Sequence, residues 1–453
     1  MDVIELDIDA VDGRGQGVAS CEGKTYFISD ALPGERVAAV IERDKGTHAF
    51  GRIHRVVRAS AARVTPRCPY FGVCGGCLLQ HIEPRAQVAF KQKVLEESFA
   101  RVAGLRPAQV LAPVYGPEWN YRFRARLSVR YVPTRGGVLL GFHERKSSYV
   151  ADIHVCHVMP RVVSRLLTPL HDLIARLSIP DRIPHIQVAV GDDHTVALVL
   201  RHLLPLTPAD SRLMQEFSDV FDVQWWLQAG GLETATPLHE GTANQGCDSA
   251  VDRGSRRVHA PLTYSLPEFG LEMGFRPTDF IQANLTANRT LVSRAVSLMQ
   301  LTPNDRVLDL FCGVGNFTLP IAATAREVVG VEGSEALLKK ARQSATDHGL
   351  ESHVSLHCAD LFQVDCRWLE EQGEFDAILL DPPREGARAI AEALATRGRR
   401  NGPRRIVYVS CNPATLARDT AILVHKGEYR LVSAGVVNMF PHTLHVESIS
   451  VFE

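Results

Sequence analysis

Cys411 stands in Val409-Ser410-Cys411-Asn412-Pro413, where an apolar run stops at a thiol and an Asn-Pro turn. Asp381 closes a similar run, Leu379-Leu380-Asp381-Pro382-Pro383-Arg384, and Glu447 lies in His445-Val446-Glu447-Ser448. A cysteine at a strand end suits nucleophilic catalysis, because sulfur attacks well as thiolate and also departs readily. A carboxylate within reach can remove the proton that must go before the thiol leaves. Taken singly, each has a plainer reading: a small buried thiol, a turn-capping Asp and a solvated strand Glu. Asp381 and Cys411 close successive strands, and open α/β sheets bind ligands outside the carboxyl ends of their parallel strands, so these two should face one crevice.

A second constellation is Val307-Leu308-Asp309-Leu310-Phe311-Cys312-Gly313-Val314-Gly315-Asn316-Phe317-Thr318, a strand running through a glycine turn into a helix. Gly313 and Gly315 let the backbone come close to a ligand. Glu332 ends the next strand, where an acid accepts hydrogen bonds from both ribose hydroxyls. A nicotinamide dinucleotide would need a third glycine to cradle its pyrophosphate, and Thr318 occupies that place. The pattern resembles the S-adenosylmethionine site of class I methyltransferases, and Asp360, after the third strand, falls where that class meets adenine. Cys312 is read as packing.

The third constellation is Cys68-Pro69-Tyr70-Phe71-Gly72-Val73-Cys74-Gly75-Gly76-Cys77, spaced C-x5-C-x2-C. Cys156, in His154-Val155-Cys156-His157, is the best fourth ligand. Four thiolates can hold zinc or a [4Fe–4S] cluster, and both stay open on spacing alone. A disulfide framework is improbable in a long intracellular chain.

The elements that must position these groups fall into three stretches. Residues 1–60 read as a small β-barrel of short alternating strands (Val3–Leu6, Lys24–Ile28, Arg36–Ile41) separated by the turns Asp12–Gly17 and Leu32–Glu35. Residues 61–270 carry the cysteines, then a helix from Pro84 to Ala103, then mixed α/β structure with strands at Arg122–Tyr131, Val138–Phe142 and within Gln187–Leu200. The polar residues 241–260 read as a loop. Residues 271–453 alternate strands with helices, predicting a doubly wound parallel sheet with strands at Arg306–Phe311, Glu327–Val331, Val354–His357, Ala377–Leu380 and Ile406–Ser410. Tyr429–Val437 and His445–Phe452 are too close for a crossover helix and should pair antiparallel.

The net charge of −1 conceals an uneven distribution. Residues 1–50 sum to −5, whereas residues 51–150 hold 17 Lys/Arg against 5 Asp/Glu. Such a basic segment suits an anion-binding face. Arg122, Arg124, Arg126 and Arg130 alternate on one strand, with Tyr121, Phe123 and Tyr131 interleaved, and Arg52, Arg55 and Arg58 lie near the barrel; phosphate contact and base stacking are the expected uses. No apolar run nears the roughly 20 residues of a membrane helix, and the acidic start is unlike a signal peptide, so a cytoplasmic protein is expected.

Several motifs together resemble the RNA 5-methyluridine (uracil-C5) methyltransferase family: Ser410-Cys411-Asn412-Pro413-Ala414-Thr415-Leu416, Asp381-Pro382-Pro383-Arg384 and Phe440-Pro441-His442-Thr443-Leu444-His445-Val446-Glu447. The resemblance implies Cys411 as nucleophile toward uracil C6 and Glu447 as general base for the C5 proton. It implies methyl-donor contacts at Gln282, Phe311, Asn316, Glu332, Asp360 and Asp381. It also turns the cysteine motif, ending Leu78-Leu79-Gln80-His81, toward a [4Fe–4S] cluster on Cys68, Cys74, Cys77 and Cys156. Residues 12–19 and 32–35 resemble the TRAM domain, an OB-like RNA-binding barrel. The expected fold is thus a class I methyltransferase (Rossmann-like) domain behind a TRAM-like barrel and a mixed α/β iron–sulfur domain. TRAM-like domain and cluster together resemble the 23S ribosomal RNA branch, implying a 23S rRNA partner and a monomer. Methylation of a transfer-RNA uridine, or a non-catalytic RNA-binding assembly factor, are the alternatives.

Overall fold

A computed structural model describes residues 3–238 and 261–453; the stretch 241–260 expected as a loop lies outside the described residues. The chain opens with six strands: β1 (Val3–Asp7), β2 (Ala10–Val11), β3 (Gln16–Cys21), β4 (Lys24–Ser29), β5 (Arg36–Asp44) and β6 (His48–Arg58). They form one sheet in the order β1-β5-β6-β4-β3-β2. The two edge strands are separated only by Ile8 and Asp9, so the sheet curls round on itself. Alternation sends Leu6, Ile28, Val37 and Ala39 inward. At Gly51 an added Cβ would stand 2.5 Å from the Val40 carbonyl, so this close strand crossing admits no side chain. Glu35 is buried and accepts two hydrogen bonds from Arg63, at 2.5 and 2.8 Å, which ties the sheet to the cysteine-bearing segment.

Next come α1 (Pro84–Ser98), β7 (Gln109–Val110), β8 (Arg124–Val132), β9 (Gly137–Gly141), α2 (Arg161–Ser164) and α3 (Leu167–Arg176). They are followed by β10 (His185–Val190), β11 (Val196–Arg201), α4 (Pro208–Phe221), β12 (Val223–Gln228) and β13 (Ala235–Pro237). A side-chain cap starts α1: Glu83 accepts from Ala86 N at 3.0 Å, and Pro84 takes the first turn, where no amide donor is needed. A π-type turn, Phe99–Ala103, extends α1 to the predicted end. The second sheet runs β13-β12-β11-β10-β8-β9. Its apolar face packs on α3 and α4 through Leu127, Leu170, Ile174, Val188, Leu198 and Met214.

The remainder holds β14 (Leu262–Leu266), β15 (Leu271–Phe275), α5 (Leu285–Met299), β16 (Arg306–Leu310), α6 (Thr318–Ala322), β17 (Glu327–Glu332), α7 (Glu335–Asp347) and β18 (Val354–Cys358). After these come α8 (Cys366–Glu371), β19 (Ala377–Leu380), α9 (Arg388–Asn401), β20 (Arg405–Ser410), α10 (Pro413–His425), β21 (Leu431–Val437) and β22 (Glu447–Phe452). The eight-stranded sheet is ordered β18-β17-β16-β19-β20-β22-β21-β7. Strands β16 to β20 are mutually parallel, and β22 enters antiparallel between β20 and β21. Alternate residues feed opposite cores: Val307, Leu379 and Val407 face one that includes α5, while Leu308, Leu380 and Tyr408 face the other with α1, α9 and α10. Burial on both faces explains the near-continuous apolar runs. Elements from before residue 270 take part here, since β7 forms one edge and Val88, Leu95 and Phe99 of α1 lie in the second core.

Candidate active site

Cys411 follows the last residue of β20, and Glu447 is the first of β22. Ser410 pairs directly with Ser448 across these antiparallel strands, so one step further out Cys411 and Glu447 stand opposite each other. Glu447 is 4 % exposed. Burial, with the nearby Asp381 charge, drives its carboxyl well above the usual range. Burial also pushes Asp381 up to about 7. The Cys411 thiol rises to about 11, first through burial and then through Glu447 and Asp381, while Arg384 opposes the shift. The four side chains therefore form one electrostatic unit.

The motif residues around Cys411 hold it in place. Asn412 caps α10, accepting from Ala414 N at 3.1 Å, and its Nδ2 donates to the Arg384 carbonyl at 2.9 Å. Thr415 Oγ1 donates to the same carbonyl at 3.1 Å. Asp419, buried in α10, accepts from Ala387 N and from the Tyr408 hydroxyl, both at 2.8 Å. The loop after β19 is thus pinned to the start of α10, which carries Asp381 and Arg384 beside the thiol.

Behind Glu447, α1 grips the segment that leads into β22. Lys91 is fully buried and donates to Asn438 Oδ1 at 2.9 Å and to the Phe440 carbonyl at 2.8 Å. Gln87 Oε1 accepts from His442 N at 2.8 Å. His442 sits in left-handed backbone, φ 66°, stacked on Trp119 at 4.0 Å. His445 is lowered to about 4 by burial and by Arg384, so it is neutral and accepts from Arg384 Nη2 at 3.0 Å.

At the glycine turn, Phe311 (φ 65°), Gly313 (φ 58°) and Gly315 (φ 90°) all take left-handed backbone. Glu332 receives Gly313 N on one carboxylate oxygen at 3.2 Å and Ser334 N on the other at 3.1 Å. Asp309, buried beneath the turn, accepts from Thr318 Oγ1 at 2.6 Å and is pushed up to about 7 by burial. Asp381 and Glu332 are close enough to add to that rise. Asn316 Oδ1 accepts from Asn288 at 2.9 Å and from the Tyr264 hydroxyl at 3.0 Å. Asp360 Oδ1 accepts from Phe362 N at 3.0 Å, and the Phe362 ring lies 5.6 Å from that of Phe311. Gln282 is half-buried, two residues ahead of the α5 cap Asn284. Cys312 is buried, as expected of packing.

Cys68, Cys74, Cys77 and Cys156 line one pocket with Tyr70, Arg122 and Phe142. The loop is stitched to the hairpin beyond β9 by Gly75 N to the His143 carbonyl (2.8 Å) and Arg145 N to the Val73 carbonyl (2.9 Å). Burial raises all four thiols, Cys77 to about 12 and Cys156 to about 11. Among the described residues, the one three-ligand group whose donor atoms all lie within 4.8 Å of one another is Asp152, His154 and His171.

A methyltransferase-domain family model matches residues 301–416. The 23S rRNA (uracil(1939)-C(5))-methyltransferase of Bordetella pertussis is 55 % identical over 449 residues, covering 99 % of this chain and 92 % of that protein. The chain belongs to this methyltransferase family. Its Ralstonia pickettii member is 51 % identical and is covered to 98 %. In fold, the whole chain is similar to the Pyrococcus abyssi tRNA (uracil-54, C5)-methyltransferase solved with S-adenosyl-L-homocysteine, with TM-score 0.70, 23 % identity, and 99 % and 100 % of the two chains covered.

Some expectations for this methyltransferase need correction. Tyr121 is fully buried and donates its hydroxyl to the Pro441 carbonyl at 2.8 Å, so it cannot stack on a base. Arg122 precedes β8 and lies over Phe142, by the cysteine pocket. Arg124 turns in to the Thr278 carbonyl at 3.0 Å, leaving Arg126 and Arg130 exposed on β8. Arg52 and Arg58 are paired with Glu42 and Asp7. Sequence reading gave no role to Arg384, Asp309, Lys91 or His445. Arg384, Asp309 and His445 had a signal, as residues of the motifs given above; Lys91 needed the fold.

Proposed function

We propose that this chain transfers the methyl group of S-adenosylmethionine to C5 of uracil 1939 in 23S ribosomal RNA. The observation that carries this is the opposition of Cys411 and Glu447 at adjacent strand ends, beside Asp381 and Arg384. The 51–55 % identical relatives supply the substrate. S-adenosylmethionine supplies an electrophilic methyl on sulfur. Gln282, Phe311, Asn316, Glu332, Asp360 and Asp381 hold it; the supporting feature is the clustering of Asp309, Glu332 and Asp381 near the glycine turn, acids whose field suits a cationic sulfonium.

The Cys411 thiolate adds to uracil C6, and the C5=C6 pair moves into an enolate with electron density at C5. C5 takes the methyl as its bond to the donor sulfur breaks, the electron pair staying on that sulfur to give S-adenosyl-L-homocysteine, and C5 keeps its own proton. Glu447 then removes that proton, the double bond re-forms, and the Cys411 thiolate leaves. Burial makes Glu447 a stronger base once ionised than an exposed glutamate.

In this reading residues 1–60 are a TRAM-type OB-like barrel, residues 61–270 carry the cluster and RNA contacts, and residues 271–453 do the chemistry. Cys68, Cys74, Cys77 and Cys156 hold a [4Fe–4S] cluster. Their convergence on one pocket supports a four-thiolate site, and the resemblance of the cysteine motif to the family's cluster motif favours the cluster over zinc.

The deciding experiment is methyl transfer to unmodified 23S rRNA, with Cys411→Ala as control, and trapping on 5-fluorouridine RNA. Label incorporation and a Cys411–RNA adduct are expected. RNA binding without transfer, or an adduct on another residue, overturns the proposal.

A further inference from the structure

Asp152 and His154 are two residues apart in the irregular segment after β9. His171, from α3, comes to meet them. His171 Nε2 lies 3.2 Å from Asp152 Oδ1, and His154 Nε2 lies 3.5 Å from Asp152 Oδ2. The two imidazole rings stack at 4.6 Å. Each ring also engages a partner on its far nitrogen: His171 Nδ1 meets the Val138 carbonyl at 3.3 Å, and His154 Nδ1 meets Thr168 Oγ1 at 3.2 Å.

The tautomer decides what this cluster wants. A carbonyl oxygen only accepts, so His171 Nδ1 carries the proton. Nε2 then faces a carboxylate oxygen at 3.2 Å without a hydrogen bond of good geometry. That approach calls for a proton or a metal ion between the two atoms. Donor atoms about 2.0–2.1 Å from a tetrahedral ion stand roughly 3.3–3.4 Å apart, and each imidazole Nε2 lies near that spacing from one of the two Asp152 carboxylate oxygens. Histidines that bind metal through Nε2 typically donate Nδ1–H to a carbonyl or similar acceptor.

From this geometry we infer that Asp152, His154 and His171 form a binding site for a zinc-like divalent transition-metal ion, separate from the cysteine pocket. Its donors are two neutral imidazoles and one carboxylate, a set that suits zinc. The side chains of Asp152 and His154 are 36 % and 49 % exposed, so water completes the coordination. Asp152 is held by Leu140 N at 3.1 Å, and the His154 backbone donates to the Tyr70 hydroxyl at 3.0 Å. The ion thus clips the segment bearing Cys156 to α3.

The test is a cobalt(II) titration of protein purified anaerobically, followed by absorbance, with zinc as competitor. One equivalent should bind with ligand-field bands but no thiolate charge-transfer band, and zinc should displace it. His154→Ala and Asp152→Asn, both at partly exposed positions, should each weaken binding at least tenfold while unfolding at wild-type temperature. No saturable binding in wild type overturns the inference. So does unchanged affinity in both variants, or a charge-transfer band placing cobalt on cysteines.

Discussion

Ser448 donates its hydroxyl hydrogen to the Ser410 carbonyl at 3.2 Å, locking the rung of the ladder next to Cys411 and Glu447. A one-residue slip of β22 would turn Glu447 to the other face of the sheet. The rung therefore sets the geometry between nucleophile and base.

Removing the base should stall the reaction after methyl transfer. Glu447→Gln is expected to lower kcat by about 10²–10⁴-fold and to accumulate a Cys411–RNA adduct on ordinary, unfluorinated RNA. A denaturing gel reads the adduct directly. A variant that is slow yet accumulates none would remove Glu447 from that role.

Arg384 is the cation that opposes the upward shift of the Cys411 thiol. Arg384→Gln should raise that pKa further and reduce kcat/KM at pH 7 by about tenfold, the equivalent of one pKa unit. Because the wild-type thiol titrates near 11, both proteins hold only a small thiolate fraction at accessible pH, so the deficit should stay near tenfold from pH 7 to 9. The alkylation rate of Cys411 in the free protein should fall by the same factor, and an unchanged rate would mean that Arg384 acts by contact alone.

The Asp381 carboxyl is raised from 3.8 to about 7 in the folded chain. The folded state then holds its proton more tightly than the unfolded state, so this group weakens folding as pH climbs from about 4 to about 7. Asp381→Asn should stabilise the ligand-free protein by on the order of 2 kcal/mol at pH 8 and by nothing near pH 3.5, while activity falls. Thermal unfolding at both pH values checks this.

Glu35 has its carboxyl held low: burial raises it, but Arg63 and the Leu32 and Ser60 amides outweigh that. Arg63→Ala leaves a buried carboxylate alone and should cost about 3 kcal/mol at pH 7. The loss should narrow toward pH 4, because in the variant burial lets Glu35 take a proton. Denaturant titration at each pH gives the comparison.

Much of the catalytic half was readable in advance. Apolar runs buried on both faces mark the parallel strands, and turn residues mark their ends, so Asp381 and Cys411 could be placed on one rim. Glu447 reached that rim only through the pairing of β22 with β20, a long-range contact that no local pattern carries. β6 was missed because its arginines and histidine interrupt the apolar alternation. The arginine stripe was half right: period-two alternation holds for Arg124, Arg126 and Arg130, but Arg122 lies outside the strand. Lys91 looked like a solvated helix lysine, since its burial depends on Asn438 and Phe440 arriving from far along the chain.

The late entry of β22 bears on biosynthesis. During translation β21 leaves the ribosome before β22, yet β22 must wedge between β21 and β20. Until residues up to Phe452 have emerged, two strands that will not touch in the finished sheet present unpaired edges to each other. A nascent chain halted before that point lacks its base, and β20 and β21 are free to zip together wrongly. Chaperone demand should peak in that interval, and activity should switch on only after it.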